Sequence, residues 1–245
     1  MKAMVLAAGL GTRLRPLTDD RPKALVEVAG KTMLERTLER LASLGITQIM
    51  VNAHHHADVL VNYLAEHRNF GLDLEISREI ILLDTGGGLK QAAEFFLRDG
   101  GNEPFLVHNV DVASNIDFRE MTARHQATGA LATLAVKPRP SKRQLLFDAQ
   151  GLPCGRQHAS GEIDWARETT ASTPLAFCGV HLIAPRLLDQ LSEQGAFSIV
   201  PAYLRLAAAG EAIQAYRADN DYWRDLGKPE SIAAATADLA AGLCN

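Results

Sequence analysis

Cysteine is scarce in this 245-residue chain: Cys154, Cys178 and Cys244 are odd in number, far apart and form no CxxC pair. That excludes a disulfide framework and a thiolate zinc site, and it suits a reducing compartment. There is no apolar run of about 18 residues, so no membrane span is expected. An excess of one charge is also missing. The chain has 25 Lys+Arg against 29 Asp+Glu, a net −4, whereas a protein that coats nucleic acid shows a clear basic surplus. No internal repeat, low-complexity tract or Pro/Gly/Ser-rich linker is visible, which speaks against a solenoid and against a string of separate domains. The opening MKAMVLAAGLGTR superficially resembles a secretory leader. Its apolar run, 3–10, is short and contains Gly9, and Arg13 and Arg15 stand where a small-residue cleavage site would lie. It reads as the first strand of a cytoplasmic protein.

What is present is a regular alternation. Residues 1–8 read as a buried strand ended by Gly9. Residues 32–44 read as a helix, with Leu34, Leu38 and Leu41 on one face and Gly45 as its stop. Strands are expected at 48–53, 72–77 and 104–109, and helices at 57–67 and 88–97. This β-α alternation predicts a parallel sheet with helices on both faces. The second half changes character, with strands at 130–137, 144–147, 174–184 and 213–217. A turn is expected at 149–151, a helix from Pro185, and further helices at 198–209 and 228–241. The expectation is a single α/β domain: a Rossmann-like, mixed and mostly parallel sheet flanked by helices, with a small antiparallel lobe.

Ligands of open parallel sheets bind beyond the carboxyl ends of the strands. The first strand is followed by Ala7-Ala8-Gly9-Leu10-Gly11-Thr12-Arg13-Leu14-Arg15-Pro16-Leu17-Thr18. The two glycines allow close backbone approach, their N–H groups can cradle phosphate oxygens, and Arg13 adds a bidentate phosphate donor. Leu14 occupies the place of the third glycine of a dinucleotide fingerprint, and no Gly-Lys-Ser/Thr of a Walker loop follows. Arg21-Pro22-Lys23 brings another cation near the same loop.

Residues 6–23, LAAGLGTRLRPLTDDRPK, resemble the signature of the sugar-1-phosphate nucleotidylyltransferases, or NDP-sugar pyrophosphorylases. The resemblance extends to about Ile232 through Asp84-Thr85-Gly86-Gly87-Gly88, Asn109-Val110-Asp111, Phe177-Cys178-Gly179-Val180 and Trp223-Arg224-Asp225-Leu226-Gly227-Lys228-Pro229-Glu230. It implies a nucleotide-binding half (1–128), a sugar-binding half (129–227) and a closing helix (228–245). It further implies Arg13 and Lys23 as catalytic cations, and Mg²⁺ on Asp111 and Asp225. The nucleotide would be held by Ala7, Ala8, Gly9, Gly11, Thr12, Thr85, Gly86 and Gly87, the latter three in a second Gly-rich loop. Asn109, Glu168 and Gly179 would hold the sugar. The implied partners are an NTP (UTP or GTP) and a sugar-1-phosphate, with neither nucleic acid nor membrane, in a monomer or homodimer. The chemistry agrees with the residues. A phosphate monoester is already ionised near neutrality, so no general base is needed, and no Ser-His-Asp or Cys-His set stands out.

Two departures from the family pattern bear on the substrate. Val110 stands where most relatives have Gly before the metal Asp. The late-lobe Glu-Lys-Pro is replaced by Arg167-Glu168-Thr169-Thr170, which leaves Arg167 or Lys23 to substitute for its lysine. The short form, with no left-handed β-helix appended, most resembles the N-acetylmuramate-1-phosphate uridylyltransferases of cell-wall recycling. Mannose- or heptose-1-phosphate guanylyltransferases come next, and phosphocholine cytidylyltransferases after them. A catalytically dead sugar-nucleotide sensor or a regulatory subunit is the non-enzyme alternative. Three further features are expected to stand outside the chemistry. His54-His55-His56 reads as packing and pocket lining rather than a metal site. The basic run 137–143 reads as a solvated loop. Tyr222 and Trp223 either stack on a base or pack beside Asp225.

Overall fold

The structure, a computed structural model, describes residues 1–243 apart from the Asp99 side chain, so Cys244 lies outside the described residues. In chain order the strands are β1 Ala3–Leu6, β2 Glu27–Val28, β3 Lys31–Thr32, β4 Gln48–Ala53, β5 Asp73–Arg78, β6 Phe105–Asn109 and β7 Val112–Ser114. They continue as β8 Ala132–Lys137, β9 Arg143–Phe147, β10 Pro153–His158, β11 Ile163–Trp165, β12 Thr173–Ile183, β13 Ile213–Arg217 and β14 Trp223–Asp225. The helices are α1 Met33–Ser43, α2 Ala57–Glu66, α3 Asp84–Gln91, α4 Ala93–Leu97, α5 Phe118–Thr128, α6 Ile199–Ala208 and α7 Pro229–Ala240.

The described residues form a ten-stranded sheet in the order β11-β10-β9-β12-β6-β1-β4-β5, with β8 on β12 and β13 on β8. Neighbours among β5, β4, β1 and β6 are parallel. β12 runs against both β6 and β8, and β13 runs with β8. The core is thus a mixed, mostly parallel α/β sheet with one reversed strand. The ribbon β9-β10-β11 is antiparallel throughout and joins the core through the outer end of β12, so one sheet runs through both halves of the chain.

β1 shows why the centre is a parallel sheet. All four of its residues are buried, Ala3 and Val5 in one apolar cluster and Met4 and Leu6 in the other, so the strand is covered on both faces. α1 begins where the Thr32 hydroxyl accepts the Glu35 N–H at 3.0 Å, and it buries Leu34, Leu38 and Leu41.

Several expectations need correction. The helix expected from Gly88 starts at Asp84, so the triple glycine is helical and not a loop. The segment after Pro185 is a 3-10 turn, Pro185–Gln190, instead of an α-helix. α5 was not anticipated because its buried face is Phe118, Met121 and a histidine, His125, which blurs the apolar period. No helix among the described residues is long and apolar enough to cross a membrane. Cys154 and Cys178 are buried free thiols, and burial pushes Cys178 up to about 12.

Candidate active site

β1 and β6 are parallel neighbours with Leu6 opposite Asn109, so the segments that follow them leave from the same sheet edge. The first part of the turn after β1 is held from inside the protein. Ala7 N–H and Ala8 N–H donate to Asn52 Oδ1 at 2.6 and 3.3 Å, and Asn52 Nδ2 donates to Glu79 Oε1 at 2.7 Å. Glu79 Oε2 accepts the Leu83 N–H at 2.9 Å. Both side chains are buried, and a β-carbon on Gly88 would come within 2.6 Å of Glu79 Oε1. Sequence reasoning missed Asn52 and Glu79. The available signal was a polar residue within an apolar strand and a carboxylate directly beyond the next strand.

The following residues are arranged differently. The N–H groups of Gly9, Leu10, Gly11 and Thr12 donate to no other part of the described chain. Gly11 has φ +66, and a β-carbon there would lie 2.9 Å from Thr18 Cγ2, so the position requires glycine. Buried Thr18 fixes the turn by donating to Gly11 O at 3.0 Å. Successive unpaired N–H groups around a left-handed residue form an anion-binding concavity.

Cations and carboxylates converge on this concavity. Lys23 Nζ lies 2.8 Å from Asp111 Oδ2, with side-chain exposures of 14% and 13%. The Lys23 ammonium passes Gly9, where a β-carbon would approach to 3.3 Å. β14 pairs with β7 so that Asp225 faces Val112, and Leu226 N–H donates to Asp111 O at 2.8 Å, which brings the two aspartates together. Asp225 Oδ1 accepts the Gly227 N–H at 2.6 Å and lies 3.9 Å from Arg13 Nη2 at the exposed rim. Among the described residues no group of three or more His, Cys, Asp and Glu is placed to hold a metal ion by itself. Two aspartates on neighbouring backbone segments fit a hard dication such as Mg²⁺, which takes one or two protein carboxylates and fills its other positions with phosphate and water oxygens.

A cleft of about 440 Å³ opens beside Lys23 and Asp111, and Ala8, Gly9, Thr85 and Asn109 are among its other lining residues, whereas Arg13 and Asp225 lie outside it. Gly86 N–H and Gly87 N–H donate to Phe197 O at 2.9 and 3.2 Å, and Thr85 Oγ1 accepts the Ile199 N–H at 3.0 Å. The amides of these glycines are therefore engaged within the chain, and of the three residues it is Thr85 that borders the cleft. On the sugar side, Gly179 has φ +72 in the bulge of β12, and a β-carbon there would meet Asn109 Nδ2 at 2.7 Å. Glu168 stands apart in a separate surface hollow with Trp165, Arg167 and Thr169. Arg167, considered above as a stand-in for the missing lysine, is bound to Asp148 and to the carbonyls of Leu152 and Pro153.

The other features fall into place around this cleft. Val110 is buried in the apolar core and does not line the cleft. His54 Nδ1 bonds Glu79 O at 2.9 Å and so supports the residue that holds Asn52. Trp223 packs beside Asp225 and donates from Nε1 to Cys178 O at 2.8 Å. The basic run 137–143 is not wholly solvated. Lys137 Nζ donates to Asp221 O, and Arg139 lies half-buried with its guanidinium carbon 3.8 Å from the centre of the Trp223 ring. Burial lowers the Arg139 guanidinium from its ordinary value, partly offset by the nearby Cys178 and Asp225.

A family model for nucleotidyl transferases matches residues 2–147. The chain is 34% identical to the N-acetylmuramate alpha-1-phosphate uridylyltransferase of Caulobacter vibrioides, over 97% of this chain and 96% of that protein. It is 32% identical to the mannose-1-phosphate guanyltransferase of Neurospora crassa, over 96% of this chain but only 63% of that protein. Two solved structures share the fold. HddC from Yersinia pseudotuberculosis complexed with GMP-PN has a TM-score of 0.75 at 20% identity, covering 97% of this chain and 99% of that one. UDP-glucose pyrophosphorylase from Acinetobacter baumanii has a TM-score of 0.76 at 19% identity, covering 96% and 91%.

Proposed function

The chain belongs to the nucleotidyl transferase family, and from that premise we propose that it joins an NTP to a sugar-1-phosphate, giving an NDP-sugar and pyrophosphate, with UTP and N-acetylmuramate-1-phosphate as the pair. One observation carries the reaction: a turn with free amides, the ion pairs Lys23–Asp111 and Arg13–Asp225, and the backbone bond that joins the two aspartate segments lie at one edge of the sheet. The substrate pair is supported by the likeness to the Caulobacter uridylyltransferase, which runs nearly end to end in both chains, whereas the Neurospora guanyltransferase is matched over 63% of its length.

In this reading the triphosphate lies against the amides of residues 9–12. Arg13 holds the β- and γ-phosphates with its planar fork, and Lys23 lies at the α-phosphate, where charge changes most. An oxygen of the sugar-1-phosphate forms the new bond to the α-phosphorus. The α–β bridging P–O bond breaks, and pyrophosphate leaves with that electron pair. The nucleophile carries its charge already, since its second pKa is about 6, so the protein's task is alignment and charge neutralisation. Asp111 and Asp225 would hold a Mg²⁺ ion, which would supply part of that neutralisation. Asn52 occupies the Ala7 and Ala8 amides, so these two N–H groups are engaged within the chain. The soluble substrates and the buried free thiols suit the cytoplasm.

A matrix of five NTPs against a panel of sugar-1-phosphates, read as Mg²⁺-dependent pyrophosphate release, tests the proposal. The largest kcat/KM is expected with UTP and N-acetylmuramate-1-phosphate. A maximum with GTP and mannose-1-phosphate would replace the substrate pair, and no release with any combination would end the enzymatic reading. Asp111→Asn is expected to abolish turnover with the circular dichroism spectrum unchanged; near-normal activity would refute its metal role.

A further inference from the structure

We propose that Arg139 binds the phosphate of the incoming sugar-1-phosphate and is the cation on the sugar side of Asp225; this rests on the nucleotidylyl-transfer reading above. β8 runs in the same direction as β1 and β6, since both β6 and β8 are antiparallel to β12, so Arg139, just beyond the end of β8, emerges at the ligand edge. Trp223 and Asp225 are two apart on β14, and alternate residues of a strand share a face. The guanidinium stacked on the Trp223 ring therefore lies along the face that carries Asp225, and the two groups attract each other. Its Nη2 donates to Phe177 O at 2.9 Å, and Trp223 Nε1 donates to Cys178 O at 2.8 Å, which ties both side chains to the bulged stretch of β12 that presents Gly179 to Asn109.

Donor capacity points the same way. A guanidinium has five N–H donors. Arg139 donates to Phe177 O at 2.9 Å, makes a 3.5 Å contact from Nη1 to Pro140 O, interacts with the Cys178 thiol and makes no bond from its enclosed Nε, which leaves part of the fork for a ligand. The neighbouring cations are otherwise assigned: Lys23 to the α-phosphate in the reading above, Lys137 to Asp221 O and Arg167 to Asp148. The Trp223 ring holds the fork in one plane before ligand arrives, which lowers the ordering cost of a bidentate oxyanion contact.

The test compares wild type, Arg139→Gln and Arg139→Lys by calorimetric titration with N-acetylmuramate-1-phosphate and with N-acetylglucosamine-1-phosphate, and by steady-state KM for both substrates. Arg139→Gln is expected to weaken both sugar phosphates by about 10- to 100-fold, the loss of a charge-assisted contact. The KM for UTP and the melting temperature should stay close to wild type, and Arg139→Lys should recover part of the affinity. A loss confined to N-acetylmuramate-1-phosphate would mean that Arg139 reads the sugar's carboxylate, and it would overturn the phosphate assignment. Unchanged sugar-phosphate binding would overturn it outright, as would an equal rise in both KM values with a fallen melting temperature. If wild type releases no pyrophosphate with any pair, the reaction reading fails, and the calorimetric comparison still decides Arg139.

Discussion

At Ala7 and Ala8 two backbone amides share the side-chain oxygen of Asn52, and Glu79 determines which way that side-chain amide points. Asn52→Ala would leave both amides and one Glu79 oxygen without partners in a buried place. Each unsatisfied group costs about 1–3 kcal/mol, so urea unfolding should show a loss of at least ~3 kcal/mol. The KM for the NTP should rise while that for the sugar-1-phosphate changes little; equal shifts in both would refute a role on the nucleotide side. Lys23 makes a different kind of contribution, because its ammonium faces the buried side of the cleft beside Asp111. Lys23→Ala is expected to lower kcat by about 10²–10³-fold, the usual effect of removing one group aimed at developing charge; a loss under tenfold would argue against that position. Asp111 could be singled out in the sequence because it stands just beyond a strand of the parallel sheet, and Lys23 because it belongs to the Gly-Thr-Arg…Pro-Lys pattern that carries the family resemblance. Asn52 and Glu79 were not, since their work is done through contacts with residues distant in the chain. Arg139 sat in a basic stretch between prolines, and nothing local reveals that Trp223 folds beneath it.

α3 shows how an element can be read with the right residues and the wrong conformation. Gly86, Gly87 and Gly88 suggest a loop, and glycine inside a helix costs roughly 1 kcal/mol relative to alanine. Here that cost is accepted because the neighbours leave no room. A β-carbon on Gly86 would fall 2.3 Å from Phe197 Cε2, and one on Gly87 would fall 2.4 Å from Gly195 O. Gly87→Ala therefore reverses the ordinary helix preference. Because the obstructing atom is backbone, the expected effect is a destabilisation of about 1–3 kcal/mol, visible as a lower melting temperature, and an unchanged or higher value would contradict the packing. Elements whose apolar period is clean, such as β1, β4 and α1, were readable with boundaries correct to within a few residues. β7 and β14 have three residues each and join only by pairing with one another, so neither carries a periodicity of its own. Yet that pairing is what sets Asp225 beside Asp111.

The whole molecule is weakly acidic, at −4, and binds a polyanion in this reading because Arg13, Lys23 and Arg139 are gathered at one edge of the sheet. Its response to acid originates elsewhere. His108 on β6 and His181 on β12 are fully buried in the joint between the parallel core and the reversed strand, and burial, more than any other cause, lowers both to about 3. His181 Nδ1 bonds the Tyr203 hydroxyl, and His108 Nδ1 bonds Asn109 O at 2.8 Å. His125, lowered to about 4 mainly by burial, bonds Thr133 Oγ1 at 2.9 Å. All three are neutral in the folded protein, whereas an unfolded histidine titrates near about 6.5. As pH falls below that value the unfolded chain takes up protons that the folded chain refuses, so stability is fully present above it and is lost toward pH 4. Each such group contributes a slope of up to about 1.4 kcal/mol per pH unit, so the three together approach ~4 kcal/mol per pH unit between about pH 5.5 and 4. Urea unfolding at pH 7.5, 6 and 5 should give a free energy that falls by about 2 kcal/mol from the first to the second and by about 3–4 kcal/mol more at the third, and His125→Asn should flatten the curve by about one third. A pH-independent free energy over this range would refute the buried neutral histidines. If the drop is found, activity lost below about pH 5 reports unfolding of the sheet, not titration of the phosphate-binding edge.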